Sequence, residues 1–284
     1  MLEPEHQGRQ RRNLAQALRD LRQASGLSGQ RLAVRCNMSQ AKISRIETGK
    51  TLPTVIDVER ILSGLEVPEE VSSDLLALAR AANVDYTAWR TYARIGLTQK
   101  QAELKALEES SHRMRHFLPA IPTGLLHVPE YASQTLSKTL ATAPARDVPK
   151  AVRARMERQA VLDDPSKHFT FLMTEQAVRW QRASLAVMAK QAVHMADVAE
   201  KPNVEIAIIP HSARVPATPL NVFVIYDDRL VTVELFSGEV VLRNPQDVSY
   251  HLELFELFMS HALRGADATC FLHRCADEFM RQRE

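Results

Sequence analysis

Apolar residues at the start of the chain recur at the spacing of short amphipathic helices. In the segment RRNLAQALRDLRQAS, the residues Leu14, Leu18 and Leu21 are three or four positions apart, which places them on one side of a helix. Gly26 follows, and glycine is common just beyond a helix C-terminus. The pattern therefore predicts a first helix with one buried stripe that ends before Gly26.

Two short helices joined by a tight turn are predicted next. Ser28 and Ser39 each precede an apolar-periodic segment and are suited to N-capping, so we predict helices over residues 28–36 and 40–47. Asn37 lies between them, and asparagine tolerates the positive φ that such a turn requires. A fourth helix is predicted to open at Pro53-Thr54, because apolar residues recur after it.

The third helix leaves a polar face outside. Its apolar residues Ile43 and Ile46 are expected to point inward, and the remaining residues are Gln40, Ala41, Lys42, Ser44 and Arg45. Glutamine can pair with adenine and arginine with guanine in the major groove, and an alanine methyl can meet a thymine methyl. A short helix, a tight turn and a second short helix with this face predict a helix-turn-helix module that contacts DNA bases through residues 40–47.

The charge of the chain is unevenly distributed. The net charge of the whole chain is +2, but residues 9–60 hold eleven basic and four acidic side chains, a local net charge of +7. Residues 61–284 hold 25 basic and 28 acidic side chains, a net charge of −3. A basic module joined to a nearly neutral remainder is typical of a protein that binds a polyanion.

The segment GLSGQRLAVRCNMSQAKISRIETGKTLP resembles the lambda-repressor-like (Xre) helix-turn-helix family. The resemblance implies that Gln40, Ala41, Ser44 and Arg45 contact bases. It also implies phosphate contacts from Arg9, Arg11, Arg12, Lys42, Lys50 and Thr51. Arg22 and Glu47 match a structural ion pair that ties the first helix to the third.

Three further residues are candidates for phosphate contacts. Ser28 and Ser39 lie at helix N-termini, where free backbone N–H groups favour anions. The family often has glutamine directly after the first of these serines, where this chain has Gly29. Gln30 is the candidate to replace that glutamine at the phosphate.

The sequence predicts three parts of the chain: the module at 9–66, a helical connector over residues 67–118 and a larger domain at 119–284. A fifth helix is expected from Pro68 to Ala82, and another over residues 98–117. His112 and His116 are four apart and could chelate a metal, but solvent exposure is the expectation, since no acidic residue or cysteine stands at a matching position.

The larger domain predicts an α+β fold. Strand-like apolar segments occur at 168–173, 204–210, 221–227 and 230–243, with the pair Ser237-Gly238 where a hairpin turn is expected. Helices are predicted at about 148–163, 175–199, 245–263 and 266–282. The predicted fold is thus a mainly α five-helix N-terminal domain followed by an α+β domain with a small mixed sheet.

The larger domain also carries a resemblance. The segments FLPAIPTGLLHVPEYASQTL, KPNVEIAIIPHSA and VVLRNPQDV resemble the domain of unknown function found behind the Xre module in actinobacterial antitoxin-like transcriptional regulators. The family pattern PGLLQ stands here as PTGLLH, with His127 in place of glutamine. The resemblance implies a small protein partner encoded by a neighbouring gene.

The sequence gives little support for a metal site or for catalysis. Cys270 and Cys275 flank His273, but on a helix the two cysteines lie about 140° apart, which is poor for joint metal ligation. The sequence contains no Gly-x-Ser-x-Gly elbow, no His-Glu-x-x-His and no glycine-rich phosphate loop. We therefore expect neither a metal nor a cofactor, and no enzymatic activity.

The sequence predicts a transcription regulator that binds operator DNA as a homodimer, with the larger domain for dimerisation and partner binding. One alternative is a repressor that senses a small molecule in a pocket of the larger domain. A remote alternative is a DNA-tethered enzyme. No apolar stretch approaches the about 18 residues that a membrane span needs, so a cytoplasmic, nucleoid-associated location is expected.

Overall fold

The computed structural model describes residues 4–88, 97–137 and 147–282 of the chain. The chain divides into two compact units. The first consists of Met1–Thr87 with Val240–Val248, and the second of Ala88–Glu239 with Ser249–Glu284.

The first unit is built from five helices. Their bounds are Pro4–Ala24 (α1), Gly29–Arg35 (α2), Gln40–Glu47 (α3), Val55–Gly64 (α4) and Glu69–Ala82 (α5). One apolar cluster joins all five helices, with Leu18 of α1, Leu32 of α2, Ile46 of α3, Val58 of α4 and Ala79 of α5 fully or almost fully buried. Leu18 and Ile46 are among the positions that the helical periodicity selects, and burial of one stripe per helix explains why the segments fold together.

A capping box opens α4. Thr54 Oγ1 accepts a hydrogen bond from the backbone N–H of Asp57 at 3.1 Å, and Asp57 Oδ2 accepts one from the backbone N–H of Thr54 at 3.1 Å. Two donors of the first turn, which have no partner inside the helix, are thereby satisfied. The start of α4 is fixed by these two side chains.

The second unit contains helices and a mixed sheet. Its helices are Leu97–Glu109 (α6), Pro129–Leu136 (α7), Val148–Arg158 (α8), Glu175–Arg179 (α9), Leu185–Val198 (α10), Pro245–Met259 (α11, which begins in the first unit) and Gly265–Arg281 (α12). The strands of the chain are Val84–Ala88 (β1), Arg113–Leu118 (β2), His168–Thr174 (β3), Val204–Ile209 (β4), Phe223–Tyr226 (β5), Leu230–Leu235 (β6) and Gly238–Leu242 (β7). Strands β2 to β6 belong to the second unit, whereas β1 up to Thr87 and β7 from Val240 belong to the first. Short 3-10 helices occupy Gly124–Leu126 and Gln159–Asp163.

Within the second unit the strand order is β6-β5-β2-β3-β4, and within the first unit β1 lies beside β7. β2 pairs parallel with β3, and β3 pairs parallel with β4. β5 pairs antiparallel with β2 and with β6, so the sheet is mixed. This architecture confirms the predicted fold class of a helical N-terminal domain and an α+β domain.

The core of the second unit lies between the sheet and helices α10 and α12. Phe171 of β3 and Ile208 of β4 are fully buried together with Leu272 and Cys275 of α12. The two-faced burial of β3 and β4 follows from their nearly continuous apolar sequence, which is typical of parallel strands.

Residues 113–118 correct the predicted helix over 98–117. The helix α6 ends at Glu109, and Arg113–Leu118 form strand β2 in the middle of the sheet. His116 is only 2% exposed, so the expectation that it faces solvent was wrong. The segment MRHFL shows little of the alternation between apolar and polar residues that is typical of a half-buried strand. Its pairing with β3 and β5 determines its conformation, rather than a local preference for helix.

The predicted three-part division also differs from the structure. Helix α5 packs into the core of the first unit, whereas α6 and β2 belong to the second. The predicted helix over 175–199 is divided into α9 and α10, with residues 180–184 between them.

Two further findings concern the described residues as a whole. Among their helices, no segment combines the length and apolar character needed to cross a membrane. No three His, Cys, Asp or Glu side chains come together in this part of the chain in a way that could hold a metal ion. Cys270 is exposed while Cys275 is buried in the core.

Candidate nucleic-acid interface

Serine side chains cap the two helices of the motif. Ser28 Oγ accepts a hydrogen bond from the backbone N–H of Arg31, and Ser39 Oγ accepts one from that of Lys42, both at 3.2 Å. Both serines have extended backbone conformations, as N-cap residues normally do. Each serine remains exposed, at the end of a helix where the dipole favours anions.

The turn between α2 and α3 depends on Asn37. Its φ is +51°, in the left-handed region that asparagine tolerates better than most residues. The turn is closed by the backbone N–H of Met38, which donates to the carbonyl oxygen of Ala33 at 2.9 Å. This geometry sets the direction in which α3 leaves α2.

The third helix has one buried side and one exposed side. Ile43 and Ile46 are 1% and 0% exposed and join the core of the first unit. The four candidate base-contacting side chains are all exposed: Gln40, Ala41, Ser44 and Arg45. At 100° per residue they occupy an arc of about 140° opposite the isoleucines. The structure thus brings these four residues onto one face.

A bidentate ion pair joins α1 to α3. Arg22 Nε lies 2.6 Å from Glu47 Oε1, and Arg22 Nη2 lies 2.9 Å from Glu47 Oε2. Arg22 Nη1 also donates to the carbonyl oxygen of Leu27 at 2.9 Å. The hydrogen bonds to Glu47 raise the pKa of the Arg22 guanidinium above its ordinary value. Glu47 is therefore neutralised by a partner of opposite charge and held to the side of the helix facing α1.

Lys42 is also paired in this structure. Its Nζ lies 2.6 Å from Oδ1 of Asp57, the residue that closes the capping box of α4. The Asp57 side chain is 6% exposed and that of Lys42 is 38% exposed. The sequence analysis missed this pair, although Thr54 and Asp57 stand at the capping-box spacing that could have located the carboxylate.

The other candidate phosphate contacts surround this face. Gln30 and Lys50 are exposed, and Thr51 is partly buried, with its backbone N–H bonded to the carbonyl oxygen of Arg45 at 3.1 Å. Arg9, Arg11 and Arg12 lie on α1, and their side chains fall outside the described residues.

A shallow cavity of about 270 Å³ lies beside the exposed face of α3. Gly29 lines it together with Gln40, Ser44 and Glu47, and a Cβ built on Gly29 would have no atom within 4 Å. The space beside Gly29 is therefore open. Gln30 does not line this cavity, so it does not fill the space that Gly29 leaves.

Two family models match the sequence. Residues 13–75 match a helix-turn-helix domain. Residues 101–274, more than half of the chain, match the domain of unknown function DUF5753. The chain belongs to the DUF5753 family. It carries its helix-turn-helix domain in the first unit and its family domain in the second.

Comparisons with whole proteins and solved structures are much weaker. No curated protein matches the chain. A phospholipase D family member, Nuc from Salmonella typhimurium, is 12% identical with a TM-score of 0.34, and the match covers 64% of this chain and 95% of that one. TrmBL2, an archaeal chromatin protein, is 14% identical with a TM-score of 0.34, and the match covers 73% and 66%. These likenesses are too low to support any argument about this chain.

Proposed function

We propose that this DUF5753 protein is a sequence-specific transcription regulator that binds operator DNA through α3. The observation that carries the proposal is the exposed face of α3, where Gln40, Ala41, Ser44 and Arg45 stand side by side. These side chains offer hydrogen-bond donors and acceptors and a methyl group, which is what discrimination between base pairs in the major groove requires.

The fixed position of α3 supports this proposal. The Arg22–Glu47 pair holds the C-terminal end of the helix, and the Ser39 cap defines its beginning. A base-contacting helix must present its N-terminal residues at a constant angle, since the loss of one good bidentate contact to a base costs about 1–3 kcal/mol. The local charge of +7 over residues 9–60 would provide the non-specific attraction to phosphates.

We propose further that the protein binds as a homodimer. One module of this size contacts only a few base pairs, and regulators with this motif reach useful affinity through two half-sites about one DNA turn apart. The second unit is the proposed dimerisation domain, which agrees with the antitoxin-like regulators that the sequence resembles. Binding, rather than catalysis, is its proposed activity, at the nucleoid in the cytoplasm.

The experiment that tests DNA binding is selection from a random duplex pool, followed by footprinting of the enriched sequence. We expect an inverted repeat whose half-sites are about 10 base pairs apart, centre to centre. Light scattering of the complex should give two chains per duplex. Equal affinity for enriched and random duplexes at moderate ionic strength would refute sequence-specific recognition, and an enriched site without symmetry would refute the dimer.

A small protein encoded by a neighbouring gene is the proposed partner of the second unit. The proposal rests on the resemblance to antitoxin-like regulators. Co-expression with the product of an adjacent short reading frame tests it: we expect a complex of fixed stoichiometry whose affinity for the enriched duplex differs from that of the chain alone. Separate elution of the two proteins would contradict it.

A further inference from the structure

A partly open cavity with both polar and apolar lining lies inside the second unit. Its volume is about 220 Å³, and its lining comes from α6, β2, the 3-10 turn at Gly124–Leu126, α7, α8, β5, β6 and Glu239 at the start of β7. This volume is somewhat below the about 300–1,000 Å³ typical of pockets for drug-sized ligands. The cavity therefore suits a molecule smaller than those.

Two arginines of α8 line the cavity with unused hydrogen-bond donors. Arg158 is 5% exposed, and Arg155 is partly buried. Among the described residues, no acceptor bonds to Arg155 Nε, Arg158 Nε or Arg158 Nη1, all of which are inaccessible to solvent. Buried N–H groups of a charged side chain are costly when they lack a partner, so such a pair of arginines indicates a missing acceptor.

The two guanidinium groups converge at Gly124. A Cβ built on Gly124 would lie 2.8 Å from Arg155 Nε and 3.1 Å from Arg158 Nη2. The absence of a side chain at this position therefore allows two like charges to approach one point. Burial, and then the charge of Arg158, lowers the pKa of Arg155 to about 10.

His127 holds Arg155 in place. Its Nε2 lies 2.9 Å from the carbonyl oxygen of Pro122, which can only accept, so Nε2 carries the proton. Its Nδ1 therefore accepts from Arg155 Nη1, at 3.1 Å. Burial, and then the charge of Arg155, lowers the pKa of His127 to about 3, so the ring is neutral. The histidine that departs from the family pattern PGLLQ thus orients an arginine of the cavity.

Three carboxyl groups also line the cavity, those of Glu108, Glu234 and Glu239. Glu239 is already paired with Lys100, at 2.6 Å. Glu108 Oε2 lies 3.5 Å from Arg158 Nε, too far for a good hydrogen bond, and burial raises the pKa of Glu108 to about 7. Burial also raises the pKa of Glu234. Glu108 in its protonated form can donate a hydrogen bond to an oxyanion rather than repel it.

We propose that this cavity binds a small organic molecule through an oxyanion group, a carboxylate or a phosphate, held by Arg155 and Arg158. Arginine pairs suit such groups because the planar guanidinium donates two parallel hydrogen bonds to two oxygens. Leu118, Val222 and Val224 supply an apolar wall for the rest of the molecule. This proposal does not depend on DNA binding, since every residue it uses lies in the second unit.

The test uses two probes, inorganic phosphate and hexanoate, with the full-length chain and without DNA. Calorimetry at constant ionic strength, adjusted with sodium chloride, should show saturable binding of one probe at one site per chain. Saturation by phosphate alone would assign the site to phosphate esters, and saturation by hexanoate to carboxylates with an apolar tail. Absence of saturable binding by either probe would overturn the proposal.

Matched variants on α8 locate the binding. Arg155→Gln removes one guanidinium and should weaken binding by at least about tenfold. Arg153→Gln removes an exposed arginine from the same helix and should leave the affinity unchanged. Gly124→Ala introduces a methyl group between the guanidiniums and should also weaken binding. Equal losses in the Arg153 and Arg155 variants would mean non-specific attraction and would contradict the site.

A measurement on the unaltered protein covers the case in which a variant fails to fold. In the NMR spectrum of the chain labelled with ¹⁵N-arginine, the Nε–H signals of Arg155 and Arg158 should shift as the binding probe is added. The Arg153 signal should stay where it is. Shifts confined to arginines of the first unit, such as Arg45, would assign the binding to the DNA-contacting face instead and would refute the cavity.

Discussion

Nζ of Lys42 lies 2.6 Å from Oδ1 of Asp57, so the third helix is tied to the first turn of the fourth. Asp57 is nearly buried and also accepts from the backbone N–H of Thr54. A lysine that the sequence assigns to a phosphate contact is therefore also a structural residue of the first unit. Its ammonium group lies between α3 and the capping box that opens α4.

A double-mutant cycle measures this pair. Lys42→Met keeps the aliphatic stem, and Asp57→Asn keeps an oxygen that can cap α4, so the cycle isolates the charge interaction. We expect a coupling free energy of about 1–2 kcal/mol for opening of α3 and α4, because one partner is buried. Amide hydrogen exchange of the full chain gives this opening free energy.

The exposed pair of Arg35 and Glu66 is the control for that cycle. Their closest atoms, Nη1 and Oε1, lie 3.5 Å apart, and both side chains are half or more exposed. Solvent screening should reduce their coupling to about 0–0.5 kcal/mol. Indistinguishable couplings for the two pairs would mean that Lys42 has no structural role beyond a surface charge.

The stability that the Arg22–Glu47 ion pair contributes should depend on the geometry of the guanidinium group and not on its charge alone. Arg22 donates to both oxygens of Glu47 and to the carbonyl oxygen of Leu27, which a lysine cannot reproduce. We expect Arg22→Lys to destabilise the first unit by about 1–3 kcal/mol. Arg19→Lys, at an exposed position on the same helix, should change its stability little. Hydrogen exchange of α1 and α3 distinguishes the two variants, and equal protection in both would contradict the prediction.

The sequence was sufficient for the first unit because its helices are amphipathic and their caps are local. Helix α3 spans Gln40–Glu47, the predicted bounds, since Ser39 begins it and Thr48-Gly49 ends it within a few residues. Local signals could not show that Lys42 pairs with Asp57, because that contact joins two helices. Periodicity alone places Gln40, Ala41, Ser44 and Arg45 on one face of α3, but no local signal identifies a phosphate contact for a particular lysine.

The second unit was predicted less completely because its decisive contacts are distant in sequence. Strand β2 exists because β3 and β5 pair with both of its edges, and nothing within residues 113–118 indicates those partners. The burial of Arg158 also depends on a contact that is distant in sequence. Its helix has several basic residues and resembles a solvated surface, yet Gly124, more than thirty positions earlier, makes room for its guanidinium.

Truncation of Arg45 and truncation of Lys50 should change DNA binding in different ways if Arg45 contacts a base pair and Lys50 a phosphate. Arg45→Ala should cost about 1–3 kcal/mol on the enriched duplex and relax the choice of one base pair. Lys50→Ala should weaken binding to all duplexes alike and lower the salt dependence, the slope of log K against log salt, by about one. Arg60→Ala, at an exposed position on α4, is the control and should leave both unchanged. Equal losses on enriched and random duplexes for Arg45→Ala would assign that residue to the phosphates.

The buried histidine of β2 gives the second unit a definite dependence on pH. Both ring nitrogens of His116 lack a hydrogen-bond partner among the described residues, and the ring packs 4.9 Å from that of Phe171. Burial, and then the charge of Arg158, lowers the pKa of His116 to about 3. The unfolded chain binds a proton near pH 6.5 that the folded chain does not, so the stabilisation is complete above pH 6.5 and is lost as the pH falls toward 3.

His116→Leu should therefore reduce the loss of stability in acid. Between pH 7 and pH 5, His116 should lower the free energy of unfolding of the wild type by about 2 kcal/mol. Leucine at this position has no such effect, because it does not titrate. Glu108, whose raised pKa of about 7 acts in the opposite direction, is present in both proteins and largely cancels in the comparison.

Urea unfolding at pH 7, 6 and 5, followed by tryptophan fluorescence, measures the difference. His168→Leu replaces an exposed histidine on the neighbouring strand and should follow the wild type. Parallel pH profiles for the wild type and His116→Leu would mean that the folded protein protonates His116, against the burial that the strand pairing imposes.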